Sequence, residues 1–249
     1  MRTPVPLGGI TALLGLLLAC VGCTTPPAET PAPSSTMAAV SDLRTVLHRI
    51  GVDTPASGKF VVVNIPSFEL IALQDGKSAL RSRVIVGRSW TPTPELATGM
   101  WAVKFNPSWT PTPAMVRQEG LRYAPPGPAN PLGRILFELD NDQLIFLHDT
   151  NDRSLFDRPR RAFSHGCVRV EQARALAAWV LDLSEAEIDF EIARRGTHRL
   201  PLPAIVPITI VYRTQFPDES NRLVGFPDVY GRQSAGEAAS TASAAGSCA

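Results

Sequence analysis

The chain has 249 residues, enough for one domain with tails or for two small domains. A hydrophobic content of 44% supplies a core, and a formal net charge of +1 gives no bulk attraction to nucleic acid. Twenty-three prolines and eighteen glycines argue against a helical bundle and for short strands joined by many turns.

The first element is a targeting segment over residues 1–23. Arg2 supplies a positive end, Val5 to Ala19 form an apolar stretch too short for a membrane span, and Cys20 and Cys23 close it. An ordinary cleaved signal with incidental cysteines is one reading. Lipid attachment at Cys20 (or Cys23) is the other, because Leu17-Leu18-Ala19 before the cysteine resembles a lipoprotein cleavage box. Residues 24–58 follow as a tether rich in Pro26, Pro27, Pro31 and Pro33, then a short helix near Ser41 to Gly51. Leu43, Val46, Leu47 and Ile50 fall at helical spacing, and His48 reads as a surface residue.

Phe60 to Ile65 and Phe68 to Gln74 read as strands joined at Pro66-Ser67, and Asp75-Gly76 is a turn signal before a strand over Leu80 to Val86. Trp101 to Phe105 is the next strand, and Trp109 beyond it suits core packing or a substrate-facing place equally. Residues 111–131 form a proline-rich lid candidate with one helical piece, Ala114 to Glu119. Gly133 to Leu139 and Gln143 to His148 read as a hairpin. Residues 151–163 carry Arg153, Arg158, Arg160 and Arg161; a solvated loop is the default, and a contact with substrate carboxylates is the sharper reading. Helices are expected over Glu171 to Asp182 and, with a capping box at Ser184 and Glu187, over Glu185 to Arg194. His198 falls in a turn without a visible partner, Val206 to Thr214 is a closing strand, and residues 233–249 are tail.

The chemistry concentrates in Phe163-Ser164-His165-Gly166-Cys167-Val168-Arg169. Cys248 lies in the tail and Cys20 and Cys23 at the processing site, which leaves Cys167 a free thiol in the folded body. His148 ends the apolar run Leu144-Ile145-Phe146-Leu147, as a strand would deliver an imidazole to a sheet rim. Gly166 lets the backbone turn just before the thiol. A cysteine–histidine pair suits thiol acyl transfer, with the imidazole taking the thiol proton. A buried structural cysteine is the bland alternative. Zinc on His148, His165 and Cys167 lacks a fourth ligand and ranks below the nucleophile, so no metal and no cofactor is expected.

These residues resemble the signature of the bacterial L,D-transpeptidase catalytic domain, a His followed by Ser/Thr-x-Gly-Cys-Ile/Val-Arg/Asn. The resemblance runs in order through Phe60 to Pro66, Val84 to Arg88, Pro92-Thr93-Pro94, Phe105 to Trp109, Gly127 to Gly133 and Leu147 to Thr150, and covers roughly residues 59–232. It is nearest to the lid-carrying branch, with a much shortened lid. It implies a mainly β fold of two packed mixed sheets with a helix beside the active-site loop. It implies Cys167 as nucleophile and His148 as base, with Cys167 and Gly166 amides as oxyanion donors. Ser164 and Arg169 would shape the site and hold substrate carboxylate, or Arg169 would form a structural ion pair; His165 is secondary. Asp149 or a backbone carbonyl would orient His148. A helix N-terminus and His148 would together lower the thiol pKa. The implied substrates are peptidoglycan stem peptides, a tetrapeptide donor and a diaminopimelate-type acceptor, met by a monomeric enzyme in the periplasm, lipid-anchored to the outer membrane. A hydrolase on the same site and an inactive wall-binding lipoprotein are the alternatives.

Overall fold

The computed structural model describes residues 42–232. The targeting segment with Cys20 and Cys23, the Pro-rich stretch up to residue 41, and the tail with Cys248 lie outside the described residues.

Helix α1 (Leu43–Arg49) buries Leu43, Val46 and Leu47. Strand β1 (Lys59–Asn64) pairs antiparallel with β2 (Glu69–Gln74), and β2 with β3 (Lys77–Gly87). Asp75 (φ +52°) and Gly76 (φ +75°) both take the left-handed conformation that a two-residue hairpin turn of matching twist requires. The continuous apolar run of β1 has a tertiary reason. Val61 and Val63 face the main core, while Phe60 and Val62 lie under α1 with Leu43, Leu47 and Phe216. A strand covered on both faces loses its polar alternation. Burying Leu43, Val46 and Leu47 contributes on the order of 5 kcal/mol as an upper estimate.

Strand β4 (Leu96–Phe105) lies between β5 (Ile135–Leu139) and β9 (His198–Val211), antiparallel to both. Helix α2 (Pro113–Glu119) sits between β4 and β5 in the chain. Strand β6 (Leu147–His148) pairs with β5, β7 (Ala162–Ser164) adds to the end of β3, and β8 (Val168–Val170) runs parallel to β6 and antiparallel to β3. Helices α3 (Ala173–Leu181) and α4 (Glu185–Ala193) follow, and a small hairpin of β10 (Gln215–Pro217) and β11 (Leu223–Gly225) closes the described chain.

The strands do not form two packed sheets. The order β2-β1-β9-β4-β5-β6-β8-β3 returns to β2, so eight strands close a mixed barrel and β7 lies outside it. The reason is the length of β3: its first half pairs with β2 and its second, at Val84 and Ile85, with β8. One strand thereby belongs to both sides, and the ring has no free edge. The barrel is filled by Val63, Leu70, Val84, Val103, Phe137, Leu147, Val168 and Ile210, and Leu176, Ala177 and Val180 of α3 join the same core.

The capping box expected at Ser184 is present: its hydroxyl accepts from the Glu187 N–H, and Glu187 reaches back to the Ser184 N–H. Two further expectations fail. His198 is the first residue of β9, stacks on Phe105 and bonds Glu191 at 2.7 Å. The strand expected over Gln143 to His148 shrinks to two residues. Asn141 Oδ1 accepts from the Gln143 and Ile145 N–H groups, and Leu144 turns out to solvent at φ +54°. The side-chain bonds replace the ladder there. Among the described residues no helix is long and apolar enough to cross a membrane.

Candidate active site

Strands β6 and β8 lie side by side, β6 ending in the histidine and β8 following directly on the cysteine. Their parallel register sets Leu147 beside Val168 and His148 beside Arg169. Leu147 and Val168 are fully buried in the barrel. Alternation along the strands puts His148, Arg169 and Cys167 on the opposite face.

His148 is 4% exposed. Its Nδ1 lies 2.5 Å from the Asp149 carbonyl oxygen, which can only accept, so Nδ1 carries the hydrogen and Nε2 keeps its lone pair. The Leu132 carbonyl also faces the ring. The orienter is therefore backbone. The Asp149 carboxylate is occupied elsewhere, accepting from the Arg134 N–H at 2.9 Å and filling the place of a Gly133 side chain. Burial, and then the Arg169 charge, push the His148 pKa down to about 4 against those carbonyls.

Cys167 Sγ is 3.6 Å from the Leu144 carbonyl, to which the thiol donates. Burial pushes the thiol pKa above its ordinary value, opposed by the Phe146 N–H and the Arg169 charge. The lowered pKa expected from a helix dipole does not arise. Strand β8 separates Cys167 from α3, and at ~3.3 Å per strand residue the helix start is on the order of 10 Å or more away. Burial therefore favours the uncharged form of both the thiol and the imidazole.

Ser164, 3% exposed, clamps the loop that carries Cys167. Its hydroxyl donates to the Cys167 carbonyl at 2.5 Å and accepts from the Gly166 N–H at 3.1 Å. The Gly166 amide, expected as an oxyanion donor, is thus bonded within the loop, whereas no bond from the Cys167 N–H is found among the described residues. Gly166 has φ +116°, a conformation that favours glycine. Arg169 Nε is buried with no hydrogen-bond partner among the described residues, a cationic donor beside the thiol.

His165 does not face His148's partners. Its Nε2 donates to Glu119 Oε1 at 2.6 Å, and Arg88 lies 3.7 Å from the other Glu119 oxygen. Glu119 is the last residue of α2, so this cluster ties α2 to the loop that carries Cys167. The segments on either side of α2 are joined by reciprocal backbone bonds between Trp109 and Ala124, at 2.8 and 2.9 Å. Buried Asn130 fastens the returning chain, donating to the Pro107, Ala124 and Pro125 carbonyls and accepting from the Leu132 N–H. It thereby places Leu132 against His148. Arg153, Arg160 and Arg161 of the 151–163 loop are spent on backbone carbonyls of Glu171, Val229, Val84 and Phe68.

Sequence reasoning assigned no role to Thr93, Glu119, Asn130 or Tyr230. Thr93, Glu119 and Tyr230 have partners far along the chain, and a lone buried Asn such as Asn130 carries no local signal. Among the described residues no group of three or more His, Cys, Asp and Glu side chains is placed to hold a metal.

The L,D-transpeptidase catalytic domain family matches residues 58–208. A Haemophilus influenzae protein named "Putative L,D-transpeptidase" is 28% identical over 218 residues, covering 69% of this chain and 44% of that protein. The chain thus spans under half the length of that relative. An L,D-transpeptidase structure from Mycobacterium smegmatis is 16% identical with a TM-score of 0.39, covering 64% of this chain and 61% of the other. One from Enterococcus faecium is 16% identical with a TM-score of 0.38, covering 62% and 50%. With the family match extending over more than half its length, from before β1 into β9, this chain belongs to the L,D-transpeptidase catalytic domain family.

Proposed function

We propose that the chain is an L,D-transpeptidase that cross-links peptidoglycan through an acyl-enzyme on Cys167. The observation that carries the reading is His148, its Nδ1 held by the Asp149 carbonyl, in register beside Arg169 on the face that carries Cys167. In the proposed cycle a tetrapeptide stem presents the carbonyl of its third residue, a diaminopimelate centre. His148 Nε2 takes the thiol proton as Sγ attacks that carbon, and the electron pair moves onto oxygen. The Cys167 N–H bonds the oxyanion; such a donor is worth about 3 kcal/mol in other enzymes. Collapse breaks the C–N bond, and the imidazolium returns its proton to the departing D-Ala amine. The side-chain amine of a second stem then opens the thioester, losing its proton to His148, which restores the thiol. Because burial favours the uncharged form of both the thiol and the imidazole, proton transfer accompanies attack.

Arg169, with its buried unpartnered Nε, is assigned to a substrate carboxylate. Ser164 keeps the loop in shape, and His165 holds the lid. The targeting segment is proposed to carry lipid at Cys20 (or Cys23) and to tether the catalytic domain in the periplasm.

The test is product analysis on purified tetrapeptide muropeptides. Cross-linked dimers are expected from the native chain and none from a folded Cys167→Ala variant; wild-type turnover by that variant refutes the nucleophile. Release of D-Ala without dimers would make the enzyme a hydrolase on the same site. Mass spectrometry of the mature protein reads the lipid, and an N-terminus without it refutes the anchor.

A further inference from the structure

Thr93, in the loop after β3, is fully buried. Its hydroxyl accepts from the Gly87 N–H at 2.8 Å and donates to the Gly166 carbonyl, 73 residues away, at 2.8 Å. The Thr93 N–H donates to Tyr230 Oη at 3.2 Å, and that phenol donates to the Gly87 carbonyl at 2.8 Å. Tyr230 is itself held through its N–H, which donates to Tyr212 Oη at 2.7 Å. Gly87 has no room for a Cβ against the Thr91 to Thr93 backbone, so the loop seats closely on β3. Three distant segments therefore converge on the peptide that precedes the nucleophile.

A trans peptide is planar, and its C=O and N–H point in opposite directions. With the Gly166 carbonyl fixed on buried Thr93, the Cys167 N–H points the other way. Glycine at φ +116° would otherwise let this peptide rotate easily. We propose that Thr93, backed by Tyr230, is a positioning residue that aims the Cys167 N–H at the oxyanion of acyl transfer. The proposal rests on the acyl-transfer reading and deepens it. In the step concerned, the thiol proton passes to His148 as Sγ bonds the carbonyl carbon, the π pair moves to oxygen, and that oxygen accepts from the Cys167 N–H. Collapse restores the carbonyl and expels the leaving group.

The experiment compares two reactions of the full-length chain, each read at Cys167 by peptide mass mapping. Acylation by p-nitrophenyl acetate passes through an oxyanion; alkylation by iodoacetamide, which displaces iodide, does not. Thr93→Val should slow acylation by about 10- to 100-fold and leave alkylation within roughly two-fold. Thr93→Ser, which keeps the hydroxyl, should restore acylation. Tyr230→Phe should lower acylation in the same sense and carries the test if Thr93→Val does not fold. Wild-type acylation by folded Thr93→Val, or by Tyr230→Phe in its place, overturns the proposal. So does an equal loss of both reactions, which is what a merely structural role would give. A native chain that alkylates at Cys167 but is not acylated refutes the acyl-transfer reading itself, and the proposal with it.

Discussion

Acid should expose the cost of burying His148. Its pKa is about 4 in the folded chain against an ordinary 6.5. Between these values the unfolded chain binds the proton and the folded chain does not, so stability falls as pH falls. The loss begins near pH 6.5, reaches about 2 kcal/mol by pH 5 and about 3 kcal/mol by pH 4, at 1.36 kcal/mol per pK unit. The ring is almost wholly buried, so solvent screening removes little of this. His148→Gln keeps a side-chain N–H for the Asp149 carbonyl and cannot titrate. Urea unfolding of both proteins at pH 7, 5 and 4 isolates the effect, because their carboxylates titrate alike and cancel in the difference. The native chain should lose more stability than His148→Gln by the amounts above. Parallel stability curves would refute the buried neutral imidazole, and with it the account of the base.

Iodoacetamide alkylation of Cys167 against pH should have its midpoint above the ordinary thiol value, since burial is the largest influence on it; a midpoint below that value would mean an activated thiolate at rest. Gly133→Ala should destabilise the fold by roughly 2 kcal/mol or more and slow acylation, because the new Cβ meets the Asp149 carboxylate at φ +67°. A native-like melting temperature would refute that packing. Glu119→Ala should free the lid from His165, which limited trypsin cleavage at Arg117 and Arg122 would report as a several-fold faster cut, with the barrel left intact. Unchanged cleavage would mean the latch does not restrain the lid.

The sequence by itself determined the local elements. Helical spacing with Gly51 placed α1, Ser184 and Glu187 placed the start of α4, and Asp75-Gly76 placed the β2–β3 turn. These signals work because caps, turns and apolar periodicity act over a few residues. The cysteine–histidine pair was visible through the family signature, since both residues belong to short motifs. Tertiary structure alone decided the rest. Closure of the barrel depends on which strands β3 pairs with along its length, and apolar runs do not name their partners. The backbone orienter of His148 follows from Asp149 being drawn to the Arg134 N–H, a contact 15 residues back along the chain. The sign of the thiol shift follows from burial and from β8 holding the α3 terminus away. The bond from Thr93 to Gly166 spans 73 residues, and only folding brings that hydroxyl to the peptide beside Cys167.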